Sequence, residues 1–381
     1  MLTLTSRKRA IAGAVAGAAL LSATCTVPLH CSILSPLLRT KARVATLKDV
    51  AQLAGVGLGT ASRVVSGKGA VSPKTLARVR KAIEELDFQP SHAARSLMSG
   101  TSQMVGVYIP LLSGTFYTPI LQLVYAELRA AGLNMVVGFG SGSADERQQA
   151  VEGIDFLNQR GCDGVLAMTS ALKEEDIAAL GPRKSRMVLL NHSLPGMEER
   201  CFTVDHKLGG RMAARALLDK KHKKIAVITG PNHATDNVER IDGFMQELVT
   251  AGIDTDKLWI AESNFAPEGG WESAKALLDS GYDFTAVFCA NDEMAVGALS
   301  YFQQAGVDVP GKVSVLGYDD THSAEFTAPR LSSVHMPWTE MTLNGLNCLL
   351  NRCYDMKRPY THDYPVTVTE RASLGKAKKP N

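Results

Sequence analysis

Residues 46–97 read TLKDVAQLAGVGLGTASRVVSGKGAVSPKTLARVRKAIEELDFQPSHAARSL, and this stretch determines the fold of the N-terminal region. Thr46 and Asp49 fit the [ST]-x-x-[DE] pattern of a helix start, and apolar residues follow at helical spacing. A glycine ends this helix after two turns. A second short helix is predicted over 58–65, and a third begins at Pro73, a residue favoured at the first helical position.

Two short helices joined by a glycine-containing turn and braced by a third form a helix-turn-helix. In this motif the second helix lies in the major groove and the first crosses the DNA backbone. Serine, arginine and leucine can meet base edges or a thymine methyl, whereas lysines mainly contact phosphate. A small helical bundle that binds no groove is the alternative. The residues that we expect to contact DNA are Thr46, Lys48, Leu58, Thr60, Ser62, Arg63, Lys68, Lys74 and Arg78.

The distribution of charge supports a nucleic-acid partner, although the whole chain is almost neutral. The 381 residues carry a net charge of +3, and this length predicts two or three domains. A hydrophobic content of 45% and a charged content of 21% exclude a disordered, collagen-like or multi-span membrane protein. Residues 1–38 carry +3 and residues 39–100 carry +7, so the remainder carries −7. A basic head on an acidic body is typical of a module that docks on phosphate, although a solvated basic helix has the same charge.

Cysteine usage and the N-terminus bear on the cellular compartment. The seven cysteines include no CxxC pair, which favours a reduced, cytoplasmic protein, and we read Cys162 and Cys289 as small core residues. However, a basic triplet at 7–9 and an apolar run at 11–23 resemble a signal peptide, with a possible cleavage point near Cys25. The first 43 residues are therefore an export signal, an appendage, or the result of a start site placed upstream of the true one near Val44.

The rest of the chain alternates apolar β-rich runs with amphipathic helical stretches. This alternation predicts an α/β fold with parallel sheets covered by helices on both faces, in two units of comparable size. Ligands bind such sheets beyond the carboxyl ends of the strands. The predicted strands are 105–109, 135–139, 164–168, 187–190, 225–229, 286–289 and 313–316. The predicted helices are 117–131, 145–160, 207–220, 239–251, 268–280, 292–305 and 338–352.

Residues 46–97 closely resemble the DNA-binding head of the lactose/galactose repressor family of bacterial transcription regulators. FCANDEMAVGAL (288–299), KVSVLGYDD (312–320) and LSSVHMPWTEM (331–341) resemble the core of the same family, and 188–217 is similar to its galactose and β-glucoside branch. The resemblance implies a helix-turn-helix head followed by a two-lobed core of the periplasmic-binding-protein type (type I). The implied domains are an N-terminal extension (1–43), a DNA-binding domain (44–90), a hinge helix and linker (91–103), and an effector-binding and dimerisation core (104–381).

In the head, the resemblance implies that Ala94 and Leu97 contact the minor groove from a hinge helix that folds on the operator. An apolar wedge of this kind unstacks a base step and bends the DNA. The chain departs from the family at two positions. Gly57 replaces a serine that caps the second helix, and Gly59 replaces a base-reading side chain, so the operator sequence cannot be transferred from a relative.

In the core, the resemblance implies a set of contacts to a sugar. Hydroxyl groups suit a guanidinium, a carboxylate and amides, and the C–H groups of a sugar ring suit aromatic faces. The alternatives are a structural ion pair between Arg240 and Asp319, and plain core packing of the aromatic residues. The implied polar contacts are Asn191, Arg240, Asn291 and Asp319, and the implied aromatic ones are Phe116, Tyr117, Phe265 and Trp338.

We therefore predict a cytoplasmic, homodimeric transcription regulator, a repressor, whose affinity for double-stranded operator DNA is controlled by a galactose- or β-glucoside-like sugar. No cofactor, metal or membrane partner is expected, because the sequence contains no GxxxxGK[ST], HExxH or GxSxG motif and its histidines are dispersed. Two rivals remain. One is an exported sugar-binding receptor, and the other is a sugar-processing enzyme that uses Asp319 and Asp320.

Overall fold

The computed structural model describes residues 45–67, 69–89, 100–112, 114–140 and 145–378. Within these ranges the chain forms two compact units. The first contains the described residues up to 61 together with 73–89, and the second contains those of 62–72 and those from 100 onward. Several predicted features lie outside the described residues: the extension 1–43, Lys68, and the hinge contacts Ala94 and Leu97.

The N-terminal region contains the three predicted helices, α1 (Leu47–Leu53), α2 (Leu58–Ser66) and α3 (Pro73–Glu85). The predicted helix start at Thr46 is confirmed. The Thr46 hydroxyl accepts from the Asp49 N–H at 3.3 Å, and the Thr46 N–H donates to the Asp49 carboxylate at 2.8 Å. This reciprocal pair satisfies two N–H groups that the first turn leaves free.

The first sheet of the core has five parallel strands in the order β2-β1-β3-β4-β5. The third and fourth strands are buried along their whole length, as expected where helices cover both faces of a parallel sheet. The strands are β1 (Met104–Ile109), β2 (Asn134–Phe139), β3 (Gly164–Met168), β4 (Met187–Leu190) and β5 (Cys201–Phe202).

The second sheet has six strands in the order β11-β10-β9-β8-β6-β7, and it is parallel except for β11, which runs antiparallel to β10. Apolar side chains fill its centre, since every residue of the sixth, eighth and ninth strands is buried. The strands are β6 (Ile225–Thr229), β7 (Trp259–Glu262), β8 (Ala286–Cys289), β9 (Ser314–Asp319), β10 (Ser332–His335) and β11 (Thr367–Thr369).

Helices flank both sheets and define two lobes. The helices of the core are α4 (Tyr117–Ala130), α5 (Glu146–Gln159), α6 (Glu174–Ala179), α7 (His206–Asp219), α8 (Thr235–Thr250), α9 (Pro267–Asp279), α10 (Asp292–Gln304) and α11 (Trp338–Tyr354). α11 follows a strand of the second sheet but packs on the first, so the chain crosses between the lobes there. α7 and α8 pack closely against each other, and glycines at 210 and 243 make this possible. A side chain at Gly210 or Gly243 would collide with the backbone of the facing helix. Phe244 of α8 stacks on Phe288 of β8, with ring centres 4.4 Å apart, so α8 packs on the second sheet.

The predicted α/β architecture is confirmed, with differences in detail. Each predicted strand and helix is present within a few residues, whereas β5, β7, β10, β11 and α6 were not predicted. β9 ends at Asp319 rather than at 316, because pairing with the polar β10 extends it through Gly317 and Tyr318.

The cysteine prediction is half right. Cys289 is buried as expected, whereas Cys162 is half-buried and packs against a core cluster without being enclosed by it. Among the described residues, no helix is both long enough and apolar enough to cross a membrane.

Candidate functional site

A cavity of about 200 Å³ lies where the carboxyl ends of strands from both sheets face each other. Side chains at or beyond the carboxyl ends of β1, β2, β3 and β4 line it from the first lobe, and those at or beyond the ends of β6, β7, β8, β9 and β10 line it from the second sheet. This is the position at which parallel sheets bind their ligands. The cavity brings together all eight residues for which a ligand contact was predicted: Phe116, Tyr117, Asn191, Arg240, Phe265, Asn291, Asp319 and Trp338.

Arg240, on α8, is 2% exposed and is held from two sides. The carbon of its guanidinium lies 3.7 Å from the centre of the Tyr318 ring, a cation–π contact. Nη1 donates to the Ala290 carbonyl, and Nη2 lies 3.4 Å from the Asp236 carboxylate. The ion partner of Arg240 is therefore Asp236, and not Asp319 as the structural alternative supposed. Within the part of the chain that the structure describes, the buried Nε has no hydrogen-bond partner, so it is a donor that a ligand can use.

Asp319, the last residue of β9, has a left-handed backbone with φ of 108° and is 6% exposed. Within the described part of the chain, its carboxyl group has no hydrogen-bond partner. Burial raises the pKa of this carboxyl well above its ordinary value, while the positive charge of Arg240 acts in the opposite direction. A buried carboxyl without partners gains free energy from any ligand that brings hydroxyl or ammonium donors.

Asn191 is oriented by a chain of hydrogen bonds that begins at a buried histidine. The Asn191 amide donates to Asp236 at 3.1 Å, and its oxygen accepts from His206 Nε2 at 2.8 Å. The other ring nitrogen of His206 lies 3.3 Å from the Tyr318 hydroxyl, which donates to it. Burial, together with the charge of Arg240, lowers the pKa of His206 to about 4. The imidazole is therefore neutral, with its proton on Nε2, and it fixes the Asn191 side chain at the cavity wall.

Asn291 can form fewer hydrogen bonds to a ligand than the sequence suggested, because protein groups already use most of its side chain. It caps α10, because its oxygen accepts from the Met294 N–H at 2.9 Å. Its amide donates to the Phe265 carbonyl at 2.9 Å. One amide hydrogen remains for a ligand, since a carboxamide has two.

Aromatic rings cover one side of the cavity. The ring of Phe116 meets Trp338 edge to face at 4.8 Å and Tyr117 at 4.9 Å. All three rings are half-buried, so they line the cavity and also pack against the hydrophobic core. The buried Nε1 of Trp338 has no hydrogen-bond partner among the described residues and offers a second free donor. This wall can accept apolar C–H groups and one hydrogen-bond acceptor.

Four charged or titratable residues line the cavity without having been predicted: Glu146, His233, Asp236 and Glu293. Besides the bond from Asn191 to Asp236, two further contacts of these residues join the lobes. Glu293 accepts from the Thr115 N–H at 2.6 Å, and His233 Nε2 lies 3.2 Å from Glu146. A signal for them was present, because each follows a predicted strand at its carboxyl end.

Those predicted DNA-reading residues that the structure describes lie on or beside the three N-terminal helices. Leu58 is 54% exposed, and Gly59 and Arg63 of the same helix are also exposed. Ser62 was expected to face outward but is half-buried, as is Thr60. Of the remaining residues in this set, Lys48, Lys74 and Arg78 are exposed, while Thr46 is engaged in the helix cap described above.

The family is decided by comparison with known proteins. Residues 46–91 match the bacterial regulatory proteins of the lacI family, and residues 214–374 match the periplasmic binding protein-like domain. The chain is similar to the HTH-type transcriptional regulator GalR of Escherichia coli (strain K12), with 30% identity over 332 residues, 87% of this chain and 96% of GalR. The chain belongs to the lacI family. It is therefore a DNA-binding transcriptional regulator with a ligand-binding core.

Solved structures of lacI-family proteins share this architecture. A transcriptional regulator of the LacI family from Burkhoderia phymatum is 45% identical, with a TM-score of 0.69 over 72% of this chain and 99% of its own. The transcriptional regulator CelR, solved as a cellobiose complex, is 30% identical, with a TM-score of 0.60 over 86% of this chain and 99% of CelR. The predicted function of transcription regulator is thus confirmed.

Proposed function

We propose that this lacI-family protein is a cytoplasmic, homodimeric repressor that leaves its operator when a small sugar binds in the cavity. The sugar is galactose-like or β-glucoside-like. The observation that carries this proposal is the set of unsatisfied polar groups in the cavity. Among the described residues, the buried donors Arg240 Nε and Trp338 Nε1 have no hydrogen-bond partner. Asp319 is a buried carboxyl that likewise forms no side-chain hydrogen bond within the described part of the chain.

A sugar fits the chemistry of this set. Its hydroxyl groups both donate and accept, so one ring can satisfy the Asp319 carboxyl and the free donors together, with Asn191 as a further polar contact. Phe116, Tyr117 and Trp338 supply apolar faces for ring C–H groups, and Phe265 lines the cavity with them. The similar regulator CelR was solved with cellobiose, which supports a carbohydrate as the ligand class.

The N-terminal head would bind the operator DNA. Two heads in a dimer would read half-sites about one helical turn apart, with α2 in the major groove. Arg63 and Leu58 are the exposed base readers, Lys48 and Lys74 are phosphate contacts, and Ala94 and Leu97 are proposed for the minor groove. Sugar binding and operator binding would be coupled reciprocally, typically by about 1–3 kcal/mol.

The geometry of Asp319 and Asp320 favours binding over catalysis. Asp320 accepts from Arg371 at 2.6 Å, from Thr369 at 2.7 Å and from His335 at 3.0 Å, and it does not line the cavity. A glycosidase needs two carboxyl groups that face each other across the scissile bond. Asp319 therefore has no catalytic partner in its sequence neighbour.

A thermal-shift screen with galactose, β-glucosides, gluconate and ribose tests the proposal, combined with anisotropy of labelled operator DNA. We expect one neutral sugar to raise the melting temperature and to lower operator affinity. If no sugar changes the melting temperature, the proposed ligand class is wrong. If a sugar is consumed by the pure protein, the protein is an enzyme.

A further inference from the structure

We propose that the cavity selects its effector by charge. It accepts neutral monosaccharides, binds the amino-substituted analogue of its sugar more tightly, and excludes phosphorylated or oxidised sugars. This inference rests on the proposed function and specifies the ligand class of the same site.

Acidic groups outnumber basic groups around the cavity. Four carboxyl groups line it, against one guanidinium and one histidine. The hydroxyl group of Tyr117 lies within the field of all four, since burial and the charges of Asp236, Asp319, Glu146 and Glu293 together raise the pKa of Tyr117. A negative potential therefore extends over the space that a ligand occupies. It repels phosphate and carboxylate groups and attracts an ammonium group.

The single guanidinium of the cavity, that of Arg240, is already bound by protein groups. Recognition of an anion uses the paired N–H groups of arginine in a bidentate fork. In Arg240 one end nitrogen donates to the Ala290 carbonyl, the other faces Asp236, and one face of the group covers Tyr318. Among the described residues, Nε is the nitrogen of this group that has no hydrogen-bond partner, while each terminal nitrogen already has one. An anionic sugar would therefore lose its hydration without gaining a counter-ion, which is unfavourable in a partly enclosed site.

Asp319 offers a buried carboxyl group to the ligand. This residue is more than nine-tenths buried, lines the cavity, and has no hydrogen-bond partner among the described residues. A neutral hydroxyl group can satisfy it with one hydrogen bond. An ammonium group brings three donors and a positive charge, which favours the ionised carboxylate against the effect of burial, and hydrogen bonds between charged groups are the stronger kind. The amino analogue of a sugar therefore gains most at this carboxyl.

The size of the cavity favours a ligand of one ring. Its volume is about 200 Å³, below the roughly 300–1,000 Å³ that is usual for drug-sized ligands. The contact between Glu293 and Thr115 closes one side of the cavity across the two lobes. A monosaccharide fits this space better than a longer chain.

The test is isothermal titration calorimetry on the full chain with matched sugars. The pairs are galactose with galactosamine and glucose with glucosamine, and the anions are glucose 6-phosphate, galactose 6-phosphate and gluconate. We expect the amino member of the binding pair to bind roughly tenfold more tightly than its hydroxyl parent. We expect the phosphate of the same sugar to bind at least about tenfold more weakly than the parent.

Two variants assign the effect to the carboxylates. Asp319→Asn keeps an acceptor oxygen but removes the charge, so the ratio of amine to hydroxyl affinity should fall close to one. Glu293→Gln can still accept from Thr115 and should lower the same ratio in part. Glu272→Gln removes an exposed carboxylate of α9 that does not line the cavity, so it should leave the ratio unchanged.

The outcomes separate the two proposals. If no carbohydrate of any charge binds, the sugar effector of the proposed function fails. If a neutral sugar binds and releases the operator, but its phosphate binds equally well or its amine binds no more tightly, only the charge selection is overturned. An unchanged affinity ratio in Asp319→Asn also overturns it.

Discussion

Some side chains influence ligand binding by orienting a neighbour that lines the cavity, without contacting the ligand themselves. His206 does not line the cavity, yet its Nε2–H holds the oxygen of Asn191 at 2.8 Å. We expect His206→Leu to weaken sugar binding roughly tenfold, because Asn191 loses the bond that orients it. Calorimetry measures this loss. His206→Gln should restore part of the affinity, since its amide can donate to the same oxygen.

His222 provides the matched control for this prediction. It is equally buried, but its ring nitrogens bond to Thr285 and to the Gly375 carbonyl, away from the cavity. His222→Leu should lower the melting temperature and leave sugar affinity unchanged. Equal losses of affinity in the two leucine variants would contradict the role given to His206.

Asp292 makes stability depend on pH in a predictable direction. Burial raises the pKa of its carboxyl to about 7, partly offset by hydrogen bonds from Ser333 and Thr321, while Asp320 adds to the rise. In the unfolded chain the group loses its proton near pH 4, so the folded protein binds more protons between about pH 4 and 7. This contribution to stability is therefore complete below pH 4 and is lost as the pH rises to about 7.

Asp292→Asn removes this titration. Urea unfolding at several pH values should show the wild type losing stability relative to the variant as the pH rises from about 4 to 7. A difference in the free energy of unfolding that stays constant across this interval would show that Asp292 is not protonated in the folded protein.

At the scale of elements, α2 carries a glycine where a helix favours a side chain. Gly59 is exposed, has an ordinary helical backbone, and an added Cβ would meet no atom within 4 Å. Gly59→Ala should therefore stabilise the head by about 1 kcal/mol. Gly55→Ala is the control, because φ of 60° at Gly55 favours glycine, and there we expect a loss of similar size, about 1–2 kcal/mol. Chemical denaturation followed by circular dichroism measures both. Equal effects of the two changes would be inconsistent with the assigned backbone.

The elements also show what the sequence could predict. Helix starts such as Thr46 and the long apolar strands were predictable, because local hydrogen bonds and periodicity determine them. Since ligands bind beyond the carboxyl ends of parallel strands, the location of the cavity followed as well. β10, with the sequence SSVH, was missed because its two serines are buried only through partners distant in sequence, Ser373 and Asp292 among them. Glu293 follows a predicted strand, so its position near the cavity was predictable. That its side chain lines the cavity was not predictable, because this also depends on residues distant in sequence.

At the scale of the whole molecule, the account predicts electrostatic binding to DNA despite a net charge of only +3. Lys48, Arg63, Lys74 and Arg78 are exposed in the head, so several phosphates would be neutralised for each head. The logarithm of the operator affinity should fall linearly with the logarithm of salt concentration, with a slope of about −0.9 for each phosphate contacted. Lys74→Ala should reduce the magnitude of that slope by about 1 for each head. An affinity independent of salt would contradict DNA binding by this surface.

The central claim is that a sugar in the cavity controls the affinity of the head for its operator. The most direct measurement is the anisotropy of a labelled operator, selected from random DNA with this protein, titrated with and without a saturating sugar identified by thermal shift. The account predicts that the sugar weakens operator binding roughly 5–150-fold. It also predicts that Asp319→Asn weakens sugar binding while the affinity for operator without sugar stays unchanged. If the sugar binds with saturation and operator affinity remains the same, the cavity does not regulate the head and the account is wrong.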